Sequence, residues 1–458
     1  MAELKSSKFQ EVRTRFAPSP TGMPHIGHLR TCVYAYALAK HNKGDFLLRI
    51  EDTDQRRYVP EAVEIIKKMI SDFGMKWNEY YVQSERAKEG IYKRVAEKLV
   101  EEGKAFYCQC SARDAKHSGY TKILRDPCRD KGLKEGAIKI KIPDNQKITY
   151  RDFVFDKDIS WDSNTVFDAT LLKSKVLGEL PTYHLAATYD DNDMKITHVL
   201  RGYDWMPSTP IHLLLYDYLG YNRPEIGHLT DIQSAEGGKL AKRKGSTSIR
   251  QLEDEGYLKE AIFNFTILLG WAPKDNRELF TLDEFIKLFD SFGFQKSNPL
   301  FNKEKLDWFN GYYIRQKTDE ELIKLVLPFA PNKADKNLVK KIIPLIKERI
   351  TKLSDFETIA GFFFEKPSIE TKMLGRNWKT HLGIATDVLD NLDSWSLKDL
   401  NDGLMKQIDK NGFKTGDFFM DLRIAITGQR FTPPINESII LLGKEETLKR
   451  INIVLSNN

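Results

Sequence analysis

Three groups of residues in this 458-residue chain have the types and spacing to do chemistry. The first is His25-Ile-Gly-His28, directly behind Arg15-Phe-Ala-Pro-Ser-Pro-Thr-Gly22. A helix N-terminus after a strand presents N–H groups and the positive end of a dipole, which suits phosphate. Two histidines in its first turn can donate hydrogen bonds to a pentavalent phosphorus transition state, and Gly27 leaves room for a flat adenine or a ribose near the backbone. The second group is Gly237 to Gly245, with four cations and no anion in nine residues. The third is Cys108-Gln-Cys110 with Cys128 eighteen residues further on. Three soft ligands suit tetrahedral zinc, which needs a fourth; Tyr120, His117 and Asp130 are candidates. Zinc is the favoured reading over three free thiols, and Cys32 reads as a packed helix thiol.

These groups need elements to hold them. Val12 to Phe16 reads as a strand, and Leu29, Val33 and Ala37 give Ile26 to Asn42 an apolar helical face, stopped by Gly44. Asp45 to Ile50 reads as a buried strand. Pro60 opens a helix running to about Phe73, where its missing N–H costs nothing. A further helix is expected over Glu85 to Glu102, closed by Gly103. This strand–helix alternation predicts a parallel sheet wrapped by helices. From Ala105 to about Tyr183 short alternating strands take over (Ala137 to Ile142, Ile148 to Phe155, Val166 to Leu171), which reads as an insertion. The parallel pattern resumes with Met194 to Leu200, a helix from Ser208 to Leu219, and Pro224 to Leu229. From about Leu252 onward the periodicity is almost entirely helical.

A lone HxGH also occurs in nucleotidyltransferases built on the same kind of sheet; its place behind RFAPSPTG makes it specific. With Ile50-Glu-Asp-Thr-Asp54, Pro181-Thr-Tyr-His-Leu-Ala186, Arg201-Gly-Tyr-Asp-Trp205, Ser208 to Tyr216 and Lys239-Leu-Ala-Lys-Arg243, in that order, the chain resembles the class I aminoacyl-tRNA synthetases of the bacterial glutamyl type. The resemblance is dense from Val12 to Tyr313 and looser beyond. It implies an α/β fold: a class I Rossmann-like parallel-sheet catalytic domain with an inserted α+β acceptor-binding domain, followed by an all-α C-terminal half. The implied bounds are 10–104 and 185–232 for the catalytic domain, 105–184 for the insertion, 233–313 for a stem-contact domain with a KMSKS-like loop, and 314–458 for a helical anticodon-binding domain.

The resemblance also implies an activity: ATP-dependent conversion of L-glutamate to glutamyl-adenylate, then transfer to the 3′ end of tRNA(Glu). Glutamate-binding positions would be Arg15, Ala17, Ser19, Glu51, Tyr183, Ala187 and Arg201, with arginine suited to bidentate grip of carboxylates. ATP-binding positions would be Ser19, His25, Gly27, His28, Asp204, Trp205, Ile232 and Lys242, and the catalytic set His25, His28, Lys239 and Lys242, working alongside Mg²⁺. Zinc would be held by Cys108, Cys110, Cys128 and Tyr120. Two positions depart from the family pattern: Ala187 replaces an asparagine and Ala241 a serine. Gly361 stands where enzymes that reject the glutamine anticodon tend to carry arginine, which points to charging of tRNA(Gln) as well.

The rivals are a truncated paralogue that glutamylates a modified tRNA base, the glutaminyl enzyme with its β-barrel anticodon region, and a weakened tRNA-binding relative. The helical tail after Tyr313 argues against the first two and the intact charged residues against the third. Bulk properties agree with a soluble multidomain protein: 41% hydrophobic and 30% charged residues, with a net charge of +6 that only weakly favours a polyanion. Lys333 to Lys352 is a basic stretch that could follow phosphates, although such a run is more often a solvated face. No apolar run approaches the roughly 20 residues of a membrane span, and four cysteines in such a chain are no disulfide framework. A cytoplasmic monomer without a membrane partner is expected.

Overall fold

The computed structural model describes residues 11–110, 124–240, 248–332 and 334–456. Strand β1 (Arg13–Phe16) feeds helix α1 (Ile26–His41), and β2 (Asp45–Ile50) returns beside β1 in parallel, with Arg15 opposite Leu47. Helix α2 (Pro60–Asp72) starts on proline, as expected, and leads to β3 (Glu79–Val82), which pairs in parallel with β2. The periodicity did not reveal β3, because this short strand is only half-buried and shows no clean alternation. The single helix expected over Glu85 to Glu102 is two, α3 (Gln83–Lys88) and α4 (Ile91–Glu101). The break falls at Gly90, whose φ of 71° is a left-handed conformation that ends the first helix.

The stretch read as one insertion supplies two different structures. Strands β4 (Ala105–Cys108), β5 (Ala137–Ile140) and β8 (Thr170–Leu172) form a separate antiparallel sheet. Strands β6 (Lys147–Asp152) and β7 (Lys157–Asp162) form a hairpin that instead extends the main sheet. β8 begins later than the Val166 expected because Asp168 is used as a staple. Its buried carboxylate accepts from the backbone N–H groups of Asp126 and Ile142, at 3.0 Å each, so 166–169 runs as a loop.

After the helix Tyr183–Asp193, β9 (His198–Gly202) enters beside β1. The helix Thr209–Leu219 follows, and β10 (Glu225–Leu229) pairs in parallel with β9. The seven-stranded order is β3-β2-β1-β9-β10-β6-β7. Strand order reverses between β1 and β9, and in open parallel sheets the crevice beyond the strand C-termini at such a point is where ligands bind. Leu47, Leu99, Ile140, Leu185, Val199, Leu215 and Ile226 belong to one core that joins both sheets and their helices.

The chain divides into two compact units: 1–252 with 262–302, and 253–261 with 303–458. In the second, the described residues form helices and 3₁₀ turns with no strand. Its longer helices are Lys303–Gln316, Lys336–Ile346, Trp378–Asp390, Leu397–Asn411, Thr415–Thr427 and Lys444–Ser456. Leu382, Leu400, Leu404, Phe418, Leu422 and Ile451 are fully buried in one core. Asn310, wholly buried, ties distant segments by accepting from Leu258 N at 2.7 Å and donating to the carbonyl oxygens of Gly256 (3.1 Å) and Thr351 (2.7 Å). Such a satisfied buried amide fixes the packing of the chain around it. Among the described residues no helix is long and apolar enough to cross a membrane.

Candidate active site

A cleft of about 530 Å³ opens at the C-terminal ends of β1 and β9. Arg15, Ala17, Ser19, His25, Gly27, His28, Glu51, Tyr183, Arg201, Asp204, Trp205, Ile232 and Lys239 all line it. Thirteen positions chosen from sequence therefore meet in one place. Ala187 does not join them: it lies one turn beyond Tyr183, is 2% exposed and is absent from the lining. Lys242 and Ala241, and the zinc candidates Tyr120 and His117, lie outside the described residues.

The two histidines cap α1. His25 is the N-cap and His28 the third helical residue, and each ring accepts a backbone N–H. His25 Nδ1 accepts from Gly27 N at 3.1 Å and His28 Nδ1 from His25 N at 3.4 Å. An acceptor Nδ1 in a neutral imidazole puts the proton on Nε2, so both rings offer an Nε2–H donor. The rings stack with centroids 3.9 Å apart. Gly27 makes this possible, since a Cβ there would sit 3.0 Å from His25 Nδ1 and Cε1. No acid occupies the first turn of α1, so its dipole is not offset.

Beside β1 lies a nest of buried charges. Arg15 Nε is 3.0 Å from Asp191 Oδ1, Arg49 Nη1 is 2.7 Å from the same oxygen, and Arg49 Nη2 is 2.9 Å from Glu51 Oε1. Strand alternation explains the grouping: Leu47 is the register partner of Arg15, and Arg49 stands two residues beyond it on the same face. Burial raises the Asp191 pKa, but the two guanidinium groups outweigh it and hold the carboxyl below its usual range. Burial instead wins at Glu51, whose pKa is raised even though Arg49 and Arg15 oppose the shift.

Arg201 is built differently. It is 6% exposed, yet no carboxylate touches it among the described residues. Its Nε donates to His228 Nε2 at 3.0 Å, Nη1 to His212 Nδ1 at 3.0 Å and Tyr183 Oη at 3.1 Å, and Nη2 to Thr209 Oγ1 at 2.8 Å. Burial, reinforced by the Arg201 charge, lowers the His184 pKa to about 4 and that of His212 well below its usual value. Burial does the same to His228, to about 4, against a raising contribution from Asp152. The His212 and His228 rings are therefore neutral acceptors that direct the guanidinium without cancelling its charge, while His184 Nδ1 meets His212 Nε2 at 3.2 Å. Trp205 lies over Tyr183 with centroids 4.1 Å apart. Lys239 bridges Asp204 and Asp231, the latter at 2.9 Å; burial opposes its charge, but the carboxylates prevail and its pKa is raised.

A second cleft of about 930 Å³ shares Ser19, Glu51, Arg57, Tyr183 and Trp205 with the first and runs to Cys108 and Cys110, past Arg56, Lys139 and Lys173. Cys108, Cys110, Cys128 and Asp126 present ligand atoms within 4.8 Å of one another. Asp126 was not among the sequence candidates. Its carboxylate is 2.5 Å from Lys139 Nζ and 3.4 Å from Cys108 Sγ, and it accepts from Cys128 N at 2.8 Å. The sequence reading also missed Arg49, Asp191, His212, His228 and Asp152. The adjacent acids Asp190 and Asp191 in a helix were the one available hint.

Residues 11–308 match the family described as the catalytic domain of class I tRNA synthetases (E and Q), and 321–455 match an anticodon binding domain. A glutamate–tRNA ligase of Dehalococcoides mccartyi is 38% identical over 97% of this chain and 98% of its own length, and one of Borreliella afzelii is 38% identical over 96% and 97%. The solved glutamate-tRNA synthetase of Elizabethkingia anophelis superposes with a TM-score of 0.84 at 32% identity, covering 98% of this chain and 100% of that one. A glutamate tRNA ligase of Elizabethkingia meningosepticum, solved in complex with its amino acid, gives 0.83 at 32% identity over the same shares. The chain belongs to the glutamate and glutamine family of class I tRNA synthetases.

Proposed function

We propose that this member of the family is a glutamate–tRNA ligase. The α-carboxylate of glutamate attacks the α-phosphorus of ATP, a P–O bond forms, and the bond to pyrophosphate breaks. A ribose hydroxyl at the tRNA 3′ end then attacks the adenylate, forming the ester and releasing AMP. The observation that carries this reading is Arg201, a buried guanidinium in the cleft with no contacting carboxylate; of the buried arginines near it, Arg15 and Arg49 have acidic partners, and Arg30 donates to the carbonyl oxygens of Leu269 and Thr230. A substrate side-chain carboxylate supplies the missing anion.

The remaining roles follow from position. Glu51 takes the α-ammonium, Tyr183 walls the pocket, and Arg15 faces the charge between substrate and Asp191. The Nε2–H groups of His25 and His28, with Ser19 and the α1 N-terminus, receive the phosphates. Asp204, Trp205 and Ile232 border the nucleoside, and Lys239 with Lys242 offsets charge on the departing pyrophosphate. Mg²⁺ bound to ATP adds to that neutralisation. Catalysis of the first step is positioning and electrostatics, with no general base required. The second, cation-lined cleft receives the tRNA 3′ end beside Ser19 and Trp205.

Zinc fits the cysteine cluster. Three sulfurs and a carboxylate oxygen make a closed four-ligand set of the structural kind, with Lys139 offsetting part of its negative charge. The metal would tie β4 to the segment carrying Cys128. The enzyme also charges tRNA(Gln); Gly361 supports this, and a Cβ there would meet nothing within 4 Å, so an arginine would be accommodated if selection required one. The test is aminoacylation of tRNA(Glu) and tRNA(Gln) transcripts with glutamate. Charging of both is expected; charging of neither overturns the reading, and charging of tRNA(Glu) alone removes only the relaxed choice.

A further inference from the structure

The Arg201 guanidinium does not aim itself. In the parallel pairing of β9 with β10, His228 is the register partner of Arg201, so the two side chains emerge on the same face of the sheet. β6 lies on the far side of β10 with Asp152 opposite Ile226, which brings the Asp152 carboxylate under the His228 ring. Asp152 Oδ2 lies 2.7 Å from His228 Nδ1 and 2.8 Å from the Tyr150 hydroxyl, and Oδ1 accepts from Val154 N and Phe155 N at 3.0 Å each. His228 and Asp152 are both 0% exposed. Tyr150 Oη also lies 3.0 Å from Nδ1 and Thr209 Oγ1 3.3 Å from Nε2. With an acceptor-only carboxylate at Nδ1 and a donor-only guanidinium N–H at Nε2, however, the tautomer that suits both charged neighbours has Nδ1–H donating to Asp152 and Nε2 accepting from Arg201 Nε–H.

We infer that His228 and Asp152 are positioning residues for glutamate selection: the carboxylate locks one imidazole tautomer, and that tautomer turns the Arg201 guanidinium toward the substrate side-chain carboxylate. This rests on the proposed reading of Arg201 and goes beyond it by placing part of the specificity in a hairpin, β6–β7, outside the residues that touch substrate. A neutral ring is the appropriate intermediary. A carboxylate touching Arg201 would orient it equally well but would compete with the substrate for its charge. One imidazole away, Asp152 supplies the orientation without direct competition.

Two near-isosteric substitutions separate the ring's two nitrogens. In His228→Gln the amide reaches the Nε2 position and keeps an acceptor for Arg201. In His228→Asn the amide sits at the Nδ1 position, keeping a donor for Asp152 and losing the acceptor. Asp152→Asn offers an N–H where the ring expects an acceptor and favours the opposite tautomer, which points Nε2–H at the guanidinium. Glutamate and ATP KM are measured by pyrophosphate exchange in the presence of tRNA, with ¹⁵N-histidine NMR of the unmodified protein at pH 7. The expected result is a glutamate KM raised tenfold or more in His228→Asn and Asp152→Asn, within about threefold of the parent in His228→Gln, and ATP KM nearly constant throughout. The NMR should show His228 neutral and protonated on Nδ1. Equal effects of Asn and Gln, parallel rises in both KM values, or an Nε2–H tautomer overturns the inference; the NMR decides even if a variant fails to fold. Lack of glutamate-dependent exchange in the unmodified enzyme would instead refute the functional reading, which the NMR does not address.

Discussion

Replacing Arg201 by alanine tests the charge logic of the cleft directly. The side chain is 6% exposed and commits four of its five N–H donors to His228, His212, Tyr183 and Thr209, so it is oriented before substrate arrives. Removing one partner of a buried, hydrogen-bonded charge pair costs about 2–5 kcal/mol. At about 1.4 kcal/mol per decade, the middle of that range is a loss of roughly 10²–10³ in kcat/KM for glutamate. On the proposed reading the ATP side rests on other residues, the α1 terminus and Lys239, so KM for ATP should move by less than about threefold. The assay is steady-state aminoacylation with each substrate varied at saturation of the other, alongside a thermal unfolding curve. Arg201→Lys should fall between parent and alanine variant, since an ammonium keeps the charge but cannot meet four acceptors in a plane. Equal rises in both KM values with an unchanged unfolding curve would refute the assignment of Arg201 to glutamate.

Other outcomes are as definite. His28→Ala removes one Nε2–H donor and should slow activation by roughly 10²–10³-fold, read by single-turnover adenylate formation; an unchanged rate would dismiss its role. Purified protein should contain about one zinc per chain, and Cys108→Ser or Asp126→Ala should release it, as elemental analysis would show; retention by Asp126→Ala would return the fourth position to another ligand. Gly361→Arg should lower charging of tRNA(Gln) by at least tenfold relative to tRNA(Glu), and an unchanged ratio would detach this position from RNA choice. His184, His198 and His228 have folded pKa values lowered to about 4, chiefly by burial, from an ordinary 6.5. Unfolding therefore takes up protons between those values, and stability is lost as pH falls from about 6.5 toward 4, with no loss from these groups above 6.5. Unfolding followed by calorimetry at pH 7 and pH 5 should show this drop, and a midpoint that rises on acidification would contradict it.

The residues that line the cleft were legible because each sits in a local motif whose chemistry is visible over a few positions. His25, Gly27 and His28 occupy one helical turn, and Arg201, Asp204 and Trp205 one strand end. The helices and strands of the parallel sheet were legible from their periods, but their limits failed where a single residue overrode the pattern. Gly90 split a helix by taking a left-handed φ, and Asp168 withheld four residues from β8 by capping backbone groups. The β6–β7 hairpin alternates as any exposed hairpin does. Only its pairing with β10 attaches it to the main sheet, and no local pattern encodes that pairing.

The residues that escaped notice share a cause. Arg49, Asp191, His228 and Asp152 act across strand registers and between elements distant in sequence: Arg49 meets Asp191 across 142 positions, and His228 meets Asp152 across 76. A motif can announce that a cation belongs at position 201, but whether its charge is spent or available depends on what lies opposite. Arg15 and Arg49 have partners that nearly cancel them, whereas Arg201 has acceptors that do not. Two arginines with the same look in the sequence therefore have different chemical capacity. On the proposed reading, that difference leaves Arg201 the principal receptor for the side-chain carboxylate, while the charge of Arg15 is already shared with Asp191. The substrate carboxylate then goes to Arg201 because its neighbours orient it through neutral side-chain acceptors, and only the three-dimensional neighbourhood decides that.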